Sequence, residues 1–471
     1  MRSTRGRSER TAVWTAALIV TVGCAGDGGV TEPPPAPAIL ASAVAANPNN
    51  VLGAVVSARV LDADSAAVRY GLADAALDSV TPAVMALGDP AILPVLGLLP
   101  DTRYVLRLVA YGDGQAVEGE SLTFDTGALP TDLPHYVASG SDPSPGYVAF
   151  AAGAYGLVID NFGRVVWYRR FPNGAGLNFQ VQPTARYVAH PPTPDPSDLE
   201  PWIELDQLGD VTRTFDCARG LRSRFHDLIA QPDGSYWIMC DETRTMDLSD
   251  MGGMAAARVT GTVVQHVSAT GALLFEWNPF DHFAMTDLDA ASRSGETVNW
   301  THGNALDLDT EGNLLVSFRS LHEITKIDTR TSEVLWRMGG SRSDFAFVDA
   351  PSPPFARQHG VRVTGPRHLL LLDNSGDANE SRAERYVYDV EVRAARLVGS
   401  YGSTPGAIAE LGGTTQDLPG GRALVAFGNG GRVEEYDATG TVVWRIEGNP
   451  GYVFRAQRIE SLYHPGVGSR R

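Results

Sequence analysis

One short unit recurs six times between Pro130 and the C-terminal region. It reads as a strand-like run, a polar residue (Asp in five of the six copies), a turn, and a second run ending in an aromatic residue. The first copy is Gly156 to Trp167, with Asp160 and Gly163 at its turn. Then come Trp202 to Phe215 (Asp206, Gly209), Val263 to Trp277 (Gly271) and Ile324 to Trp336 (Asp328). Tyr386 to Tyr401 (Asp389) and Val433 to Trp444 (Asp437, Gly440) complete the set. The spacing, roughly 45–65 residues, is that of a four-stranded sheet with loop insertions. A lone sheet of that size cannot bury both faces, whereas six arranged about an axis cover one another. The repeat therefore predicts an all-β chain with a six-bladed β-propeller over residues 129–471. The strand-like segment Tyr452 to Tyr463 is expected to close the ring onto the first blade. Trp167, Trp277, Trp336 and Trp444 occupy equivalent places, so packing between blades accounts for them without a ligand.

The segment before the repeat has a different texture. Short alternating runs at Val51 to Val60, Ala67 to Tyr70, Tyr104 to Tyr111 and Glu120 to Phe124 predict a small β-sandwich over residues 38–128. Within it, Leu98-Leu99-Pro100-Asp101-Thr102-Arg103-Tyr104 resembles the Leu-x-Pro-x-Thr-x-Tyr stretch of fibronectin type III domains, where the tyrosine anchors a turn. Ahead of the sandwich, Arg2, Arg5, Arg7 and Arg10 precede the apolar stretch Thr11 to Val22 and the sequence Val22-Gly23-Cys24. This is the layout of an export signal over residues 1–23. Its apolar part is shorter than the about 20 residues that span a bilayer. Cys24 after Gly23 resembles a bacterial lipobox, although Thr21 stands where an aliphatic residue is usual; lipidation of Cys24 and simple cleavage are the two outcomes. Residues 24–37, rich in Gly and Pro, form a tether. The chain is thus expected in the cell envelope or periplasm, lipid-anchored or secreted, touching membrane only through a lipid on Cys24. The two other cysteines, Cys217 and Cys240, either form a disulfide, as an oxidising compartment allows, or remain buried thiols.

Charge narrows the function. The 471 residues carry 38 Lys and Arg against 55 Asp and Glu, a net charge of -17, which disfavours a nucleic-acid partner. Lys326 is the single lysine, so Schiff-base chemistry and a phosphate-loop lysine are nearly excluded. A second recurring unit carries the candidate chemistry. Phe225-His226-Asp227-Leu228, Thr301-His302-Gly303-Asn304 and Gln358-His359-Gly360 each place a histidine at the start of a strand that a hairpin then reverses. The matching Thr414-Thr415-Gln416-Asp417 has none. If these strands are innermost, three imidazoles meet on the axis. Alternation puts Asn304 on the side of His302, and Arg319 can project to the same mouth. Asp307-x-Asp309-x-Glu311-Gly312 is read as a hairpin turn rather than a calcium loop, because Phe318 stands where the loop's last Glu belongs.

The stretches Phe225 to Leu228, Asn299 to Asn304, Ser317-Phe318-Arg319 through Glu323-Ile324, Val334 to Gly340 and Gln358-His359-Gly360 resemble, in order, those of the bacterial arylsulfotransferases that need no nucleotide donor. The Tyr436 to Trp444 and Arg455 to Ile459 segments are also similar. The resemblance implies a propeller enzyme, without a cofactor, that moves a sulfuryl group from a phenolic sulfate ester to a phenolic acceptor by a ping-pong route. It implies that His359 is transiently sulfurylated, that His226, His302 and Arg319 share the chemistry, and that Asn304 and Arg319 contact substrate. Oligomeric state is not fixed by it; a homodimer is compatible.

The residue types suit that reaction. A neutral imidazole is a nucleophile near neutral pH, and an arginine fork spreads over the equatorial oxygens of the transferring group. His226 and His302 can donate further bonds or move the phenol protons. Two other classes fit the same residues: a metal-dependent hydrolase or lyase with His226, His302 and His359 as ligands, and a non-catalytic propeller that binds partners at a cell surface.

Overall fold

The computed structural model describes residues 35–85, 89–195, 200–377 and 380–464. The export segment 1–23, Cys24 and most of the tether lie outside them. The described chain is all-β, with a few short helical turns in its loops.

Two sheets form first. Ala38–Ala46, Gly53–Leu61 and Ala91–Leu96 make one; Ser79–Val80, Ser65–Leu72, Arg103–Gly112 and Gln115–Asp125 make the other, with Val84–Met85 added at its edge. Alternation along Arg103–Gly112 sends Tyr104, Leu106 and Leu108 inward against Val56, Leu93 and Val95. The Tyr104 hydroxyl turns back to accept the Leu99 N–H at 2.9 Å, which holds the turn through Pro100. This unit docks on the rest through polar contacts. Asn47 and Asn49 side-chain amides donate to Leu208 O, and Val51 and Leu96 N–H groups donate to the Tyr168 and Tyr463 hydroxyls.

Six sheets follow, each built around an antiparallel meander, three of them of four strands and three of five. Some central strands, Tyr155–Ile159, Leu314–Phe318 and Val433–Tyr436 among them, are buried at every residue. The first two read as short apolar runs rather than alternating ones because a neighbouring sheet covers each face. The recurring polar residue closes the last hairpin of its sheet. Asp160 Oδ1 accepts the N–H groups of Phe162 and Arg164, Asp206 those of Leu208 and Asp210, and Asp437 those of Thr439 and Thr441. The copy without Asp uses Ser268 Oγ, which accepts from Ala272 N at 3.0 Å. The pairing register slips beside this turn in five of the six sheets, at Val158/Ile159, Glu204/Leu205, His266/Val267, Lys326/Ile327 and Glu435/Tyr436, and three residues earlier, at Arg385/Tyr386, in the other. A conserved-in-place bulge of this kind adds twist to each outer hairpin. Asp309 likewise closes a hairpin, accepting from Glu311 N and Asn313 N while Lys326 Nζ sits 2.6 Å from its other oxygen. Two of the four outer-strand tryptophans reach the next sheet's turn: Trp167 Nε1 donates to Gln207 O and Trp444 Nε1 to Asn161 O.

Closure uses both ends of the repeat region. Ala456–Ile459 pairs inside Tyr147–Ala152 of the first meander, Tyr147 opposite Ile459, while Ala138–Gly140 pairs outside Val442–Ile446 of the last. Side chains then stitch the innermost strands into a circuit. Asn178 Nδ2 donates to Phe225 O and His226 O, Arg362 Nη1 to Leu306 O, Thr415 Oγ1 to Gly360 O and Gln416 Nε2 to Arg458 O. Val181 N donates to Gln457 Oε1 and returns the circuit to its start.

Cys217 and Cys240 are joined in a disulfide that links the entry of the third meander to its second strand. The bridge spans 23 positions, and closing a loop of that size restricts the unfolded chain by about 3 kcal/mol. The paired change Cys217→Ala and Cys240→Ala is expected to lower the unfolding free energy by about 2–4 kcal/mol in urea titrations, whereas no change would mean the bridge is redundant.

Candidate active site

His302 and His359 stand where strands begin, whereas His226 lies inside the strand Arg222–Ala230 rather than opening it, and each strand is distorted at its histidine. In Arg222–Ala230 the pairing jumps from Ser223 opposite Cys240 to Leu228 opposite Ile238, so residues 224 to 227 bow away from the partner strand. His302 precedes Gly303–Leu308 and takes a positive φ of 48°, uncommon for a residue with a side chain. His359 opens His359–Gly365 between Arg357 at φ 53° and Gly360 at φ 60°. A Cβ on Gly360 would fall 2.6 Å from Thr414 Cα, so the third residue of Gln-His-Gly has to be glycine. Such backbone costs about 1–3 kcal/mol per residue and is found where the surroundings over-determine it.

These distortions bring the imidazoles together around Phe454. The His226 and His302 rings meet edge to face at 5.0 Å, and the Phe454 ring lies 5.8 Å from His226 and 6.3 Å from His359. Phe225 stacks on His226 at 4.1 Å and meets Phe454 edge-on. Arg319 is tied to His302 through its backbone, N–H to the His302 carbonyl at 3.0 Å, and its half-buried guanidinium donates to Glu410 O at 3.4 Å. Its charge acts on both His302 and His359. The residues singled out from the sequence thus share one space. Among the described residues, no cluster of three or more His, Cys, Asp or Glu side chains is arranged to hold a metal ion, and Phe454 stands between the rings.

Each ring has its own environment. His226 and His359 are buried, while His302 is partly open. Asn299 Nδ2 lies 2.6 Å from His302 Nδ1. His359 Nδ1 faces two oxygens, Asn374 Oδ1 at 2.8 Å and Arg357 O at 3.0 Å. Asn304 is less free than alternation implies: its Nδ2 donates to Gln358 O at 2.7 Å, leaving only the acceptor Oδ1 without a partner. Gln358 in turn donates through Nε2 to Ser317 Oγ and Glu323 O, fastening the His359 strand to the fourth meander.

Below the rings runs a buried ion network. Asp227 Oδ1 pairs with Arg455 at 3.1 Å; Oδ2 accepts from Arg362 Nη2 and from Leu306 N, both at 3.0 Å. Burial draws the Arg455 guanidinium down to about 10. Arg455 also donates to His226 O and to Asn178 Oδ1. Phe454, Arg455 and Asn374 were not singled out as site residues in the sequence. The one signal available was that the closing strand had to return to the axis and carry residues there.

Burial is the first cause of the histidines' electrostatics. It pulls His226 well below the usual value, and the nearby His302 and the Arg224 guanidinium further oppose its protonation. It takes His302 to about 2, with Arg224 and Arg319 adding to the effect. His359 falls only to about 4, because the bond to Asn374 opposes burial. All three rings are neutral at neutral pH.

Two outcomes follow from this geometry. In the unfolded chain imidazoles take protons below about 6.5, and in the fold these do not, so stability is lost as pH falls from about 6.5 toward about 4. His359→Asn should flatten the stability-against-pH curve in that window, read by urea unfolding; an unchanged slope would contradict the burial of a neutral ring. Asp227→Asn leaves two guanidinium groups beside a neutral amide, and is expected to cost about 3–5 kcal/mol of stability.

No curated protein sequence matches the chain. Among solved structures, a protein of unknown function from Bacteroides caccae is 12% identical, covers 66% of this chain and 98% of its own, and gives a TM-score of 0.43. A streptogramin B lyase is 12% identical over 67% of this chain and 84% of its own, at a TM-score of 0.38. A catalytically inactive virginiamycin B lyase from Staphylococcus aureus with quinupristin is 8% identical over 66% and 88%, at 0.37. In sequence, the family described as arylsulfotransferase (ASST) matches residues 211–449, just over half of the chain, from the third meander's approach to the end of the sixth. This chain belongs to the arylsulfotransferase family.

Proposed function

We propose that the chain is an exported, lipid-anchored sulfotransferase, built as a six-bladed propeller behind a fibronectin type III-like sandwich. It moves a sulfuryl group from a phenolic sulfate ester to a phenolic acceptor by a ping-pong route through sulfohistidine at His359. The observation that carries the reading is the meeting of three neutral imidazoles and Arg319 around Phe454. Phe225 and Phe454 supply faces for an aryl ring, and Arg319, tied by its backbone N–H to His302 O, supplies a cation beside the histidine cluster.

In the first half-reaction a bare ring nitrogen of His359 attacks sulfur. The N–S bond forms as the S–O bond to the aryl group breaks, and the electron pair leaves on the phenolate oxygen. Arg319 donates to the sulfuryl oxygens as charge gathers there. In the second half-reaction the acceptor phenol gives its proton to water, its oxygen attacks sulfur, and the electron pair of the breaking N–S bond returns to the nitrogen.

The depressed protonation of His226 and His302 assigns them a part narrower than acid and base. A neutral imidazole that gave up a proton would become imidazolate, so these rings donate hydrogen bonds rather than protons, as neutral histidine does in other enzymes. With Asn299 Nδ2 donating to its Nδ1, His302 carries its proton on Nε2 and points that donor at the departing oxygen. Asn304 Oδ1, an acceptor only, suits the hydroxyl of an incoming phenol rather than a sulfuryl oxygen.

The test is turnover of p-nitrophenyl sulfate with and without added phenol. Release of p-nitrophenol that requires the acceptor and vanishes in His359→Ala is expected. Because the phenolate leaves unprotonated, donors of more acidic phenols should react faster by a large factor, and His302→Ala should steepen that dependence. Release indifferent to the acceptor would replace transfer by hydrolysis.

A further inference from the structure

We infer that Asn374 is a positioning residue that fixes which nitrogen of His359 reacts, an inference that rests on the sulfotransferase reading of the same site. The orientation of its amide is set independently of the histidine. Asn374 Nδ2 donates to Ala409 O at 2.6 Å and Gly412 O at 2.9 Å, both in the segment that leads into the sixth meander. A flipped amide would press Oδ1 against two carbonyl oxygens, so Oδ1 must face the imidazole. His359 Nδ1 therefore meets two acceptors, Asn374 Oδ1 at 2.8 Å and Arg357 O at 3.0 Å. Two acceptors on one ring nitrogen require that nitrogen to carry the proton. The lone pair is left on Nε2, the atom across the ring from the Asn374 anchor.

The choice of an amide has a chemical consequence. A carboxylate in that place would hold the same tautomer but would also favour the charged ring, raising basicity and stabilising the sulfurylated imidazolium. When Nε2 bonds to sulfur and the S–O bond to the aryl group breaks, Nδ1 keeps its proton and the ring becomes cationic. Asn374 Oδ1 accepts from that N–H without a countercharge. The N–S bond stays a good donor bond for the second half-reaction, in which the electron pair returns to Nε2. Anchoring by a neutral amide thus favours transfer in both directions over a trapped intermediate. Asn374 lies on His368–Asp377, the strand paired with the His359 strand, and it is buried.

The experiment uses full-length protein labelled with 15N-histidine, the His359 signals being assigned by their loss in His359→Gln. In the wild type, His359 is expected as the Nδ1–H tautomer across neutral pH. In Asn374→Leu the signal should shift toward a mixture of tautomers, kcat should fall by about 10–100-fold, and KM for the donor should change little. An Nε2–H tautomer in the wild type overturns the inference, and so does an Asn374→Leu protein with unchanged tautomer and rate. Should that variant fail to fold, the wild-type tautomer alone decides. Because the spectrum needs no turnover, the activity of His359→Ala tests the reaction separately: full activity in that variant sinks the sulfotransferase reading while leaving the tautomer result standing.

Discussion

The channel depends on one buried carboxylate. Asp227 belongs to the third meander, yet its two oxygens also hold the fourth through Leu306 N, the fifth through Arg362 and the closing strand of the first through Arg455. Four of the six sheets are therefore referenced to a single residue at the axis. The bulge over residues 224 to 227 that lets Asp227 reach inward is the same distortion that presents His226 on its other side. Structure and chemistry share a dipeptide: His226 faces the rings, and Asp227 holds the floor beneath them. A buried ion network gains little stability over apolar packing, so its value here is in register, since it admits one relative placement of the inner strands.

Above that floor, desolvation sets the character of the site. Burying three imidazoles together with Arg319 makes every additional positive charge costly. The rings are consequently neutral, nucleophilic or hydrogen-bond donating, and poorly suited to carrying protons. An anionic group entering this space brings the countercharge that the guanidinium otherwise finds only in a carbonyl oxygen. Sulfuryl transfer from an aryl ester suits such an environment, because its leaving group can depart without a proton.

Much of this was legible in the sequence because the repeat reports its own geometry. The polar turn residue and the following aromatic mark the outer hairpin, and the structure adds a register slip beside five of the six turns that the spacing alone does not reveal. Histidines at one place in three repeats pointed to a common centre, and the rings do meet. Alternation misled in one respect. It placed Asn304 on the side of His302 but did not reveal that its amide is held by Gln358 O, next to His359. Asn374 and Phe454 were not legible for a different reason: no local pattern distinguishes an asparagine that anchors a ring from one that caps a turn, and Phe454 meets its partners, His226 and His359, only through the closing of the ring of sheets. The positive φ at His302 was equally hidden, since nothing in Thr301-His302-Gly303 signals a left-handed backbone.

The most direct measurement is the mass of the intact protein after exposure to an aryl sulfate with no acceptor present. The account predicts a gain of one sulfuryl group per chain, located by fragmentation on His359, lost in acid, and discharged by added phenol. An unmodified chain that has nonetheless released phenol, or a sulfuryl group on any other residue, would contradict it.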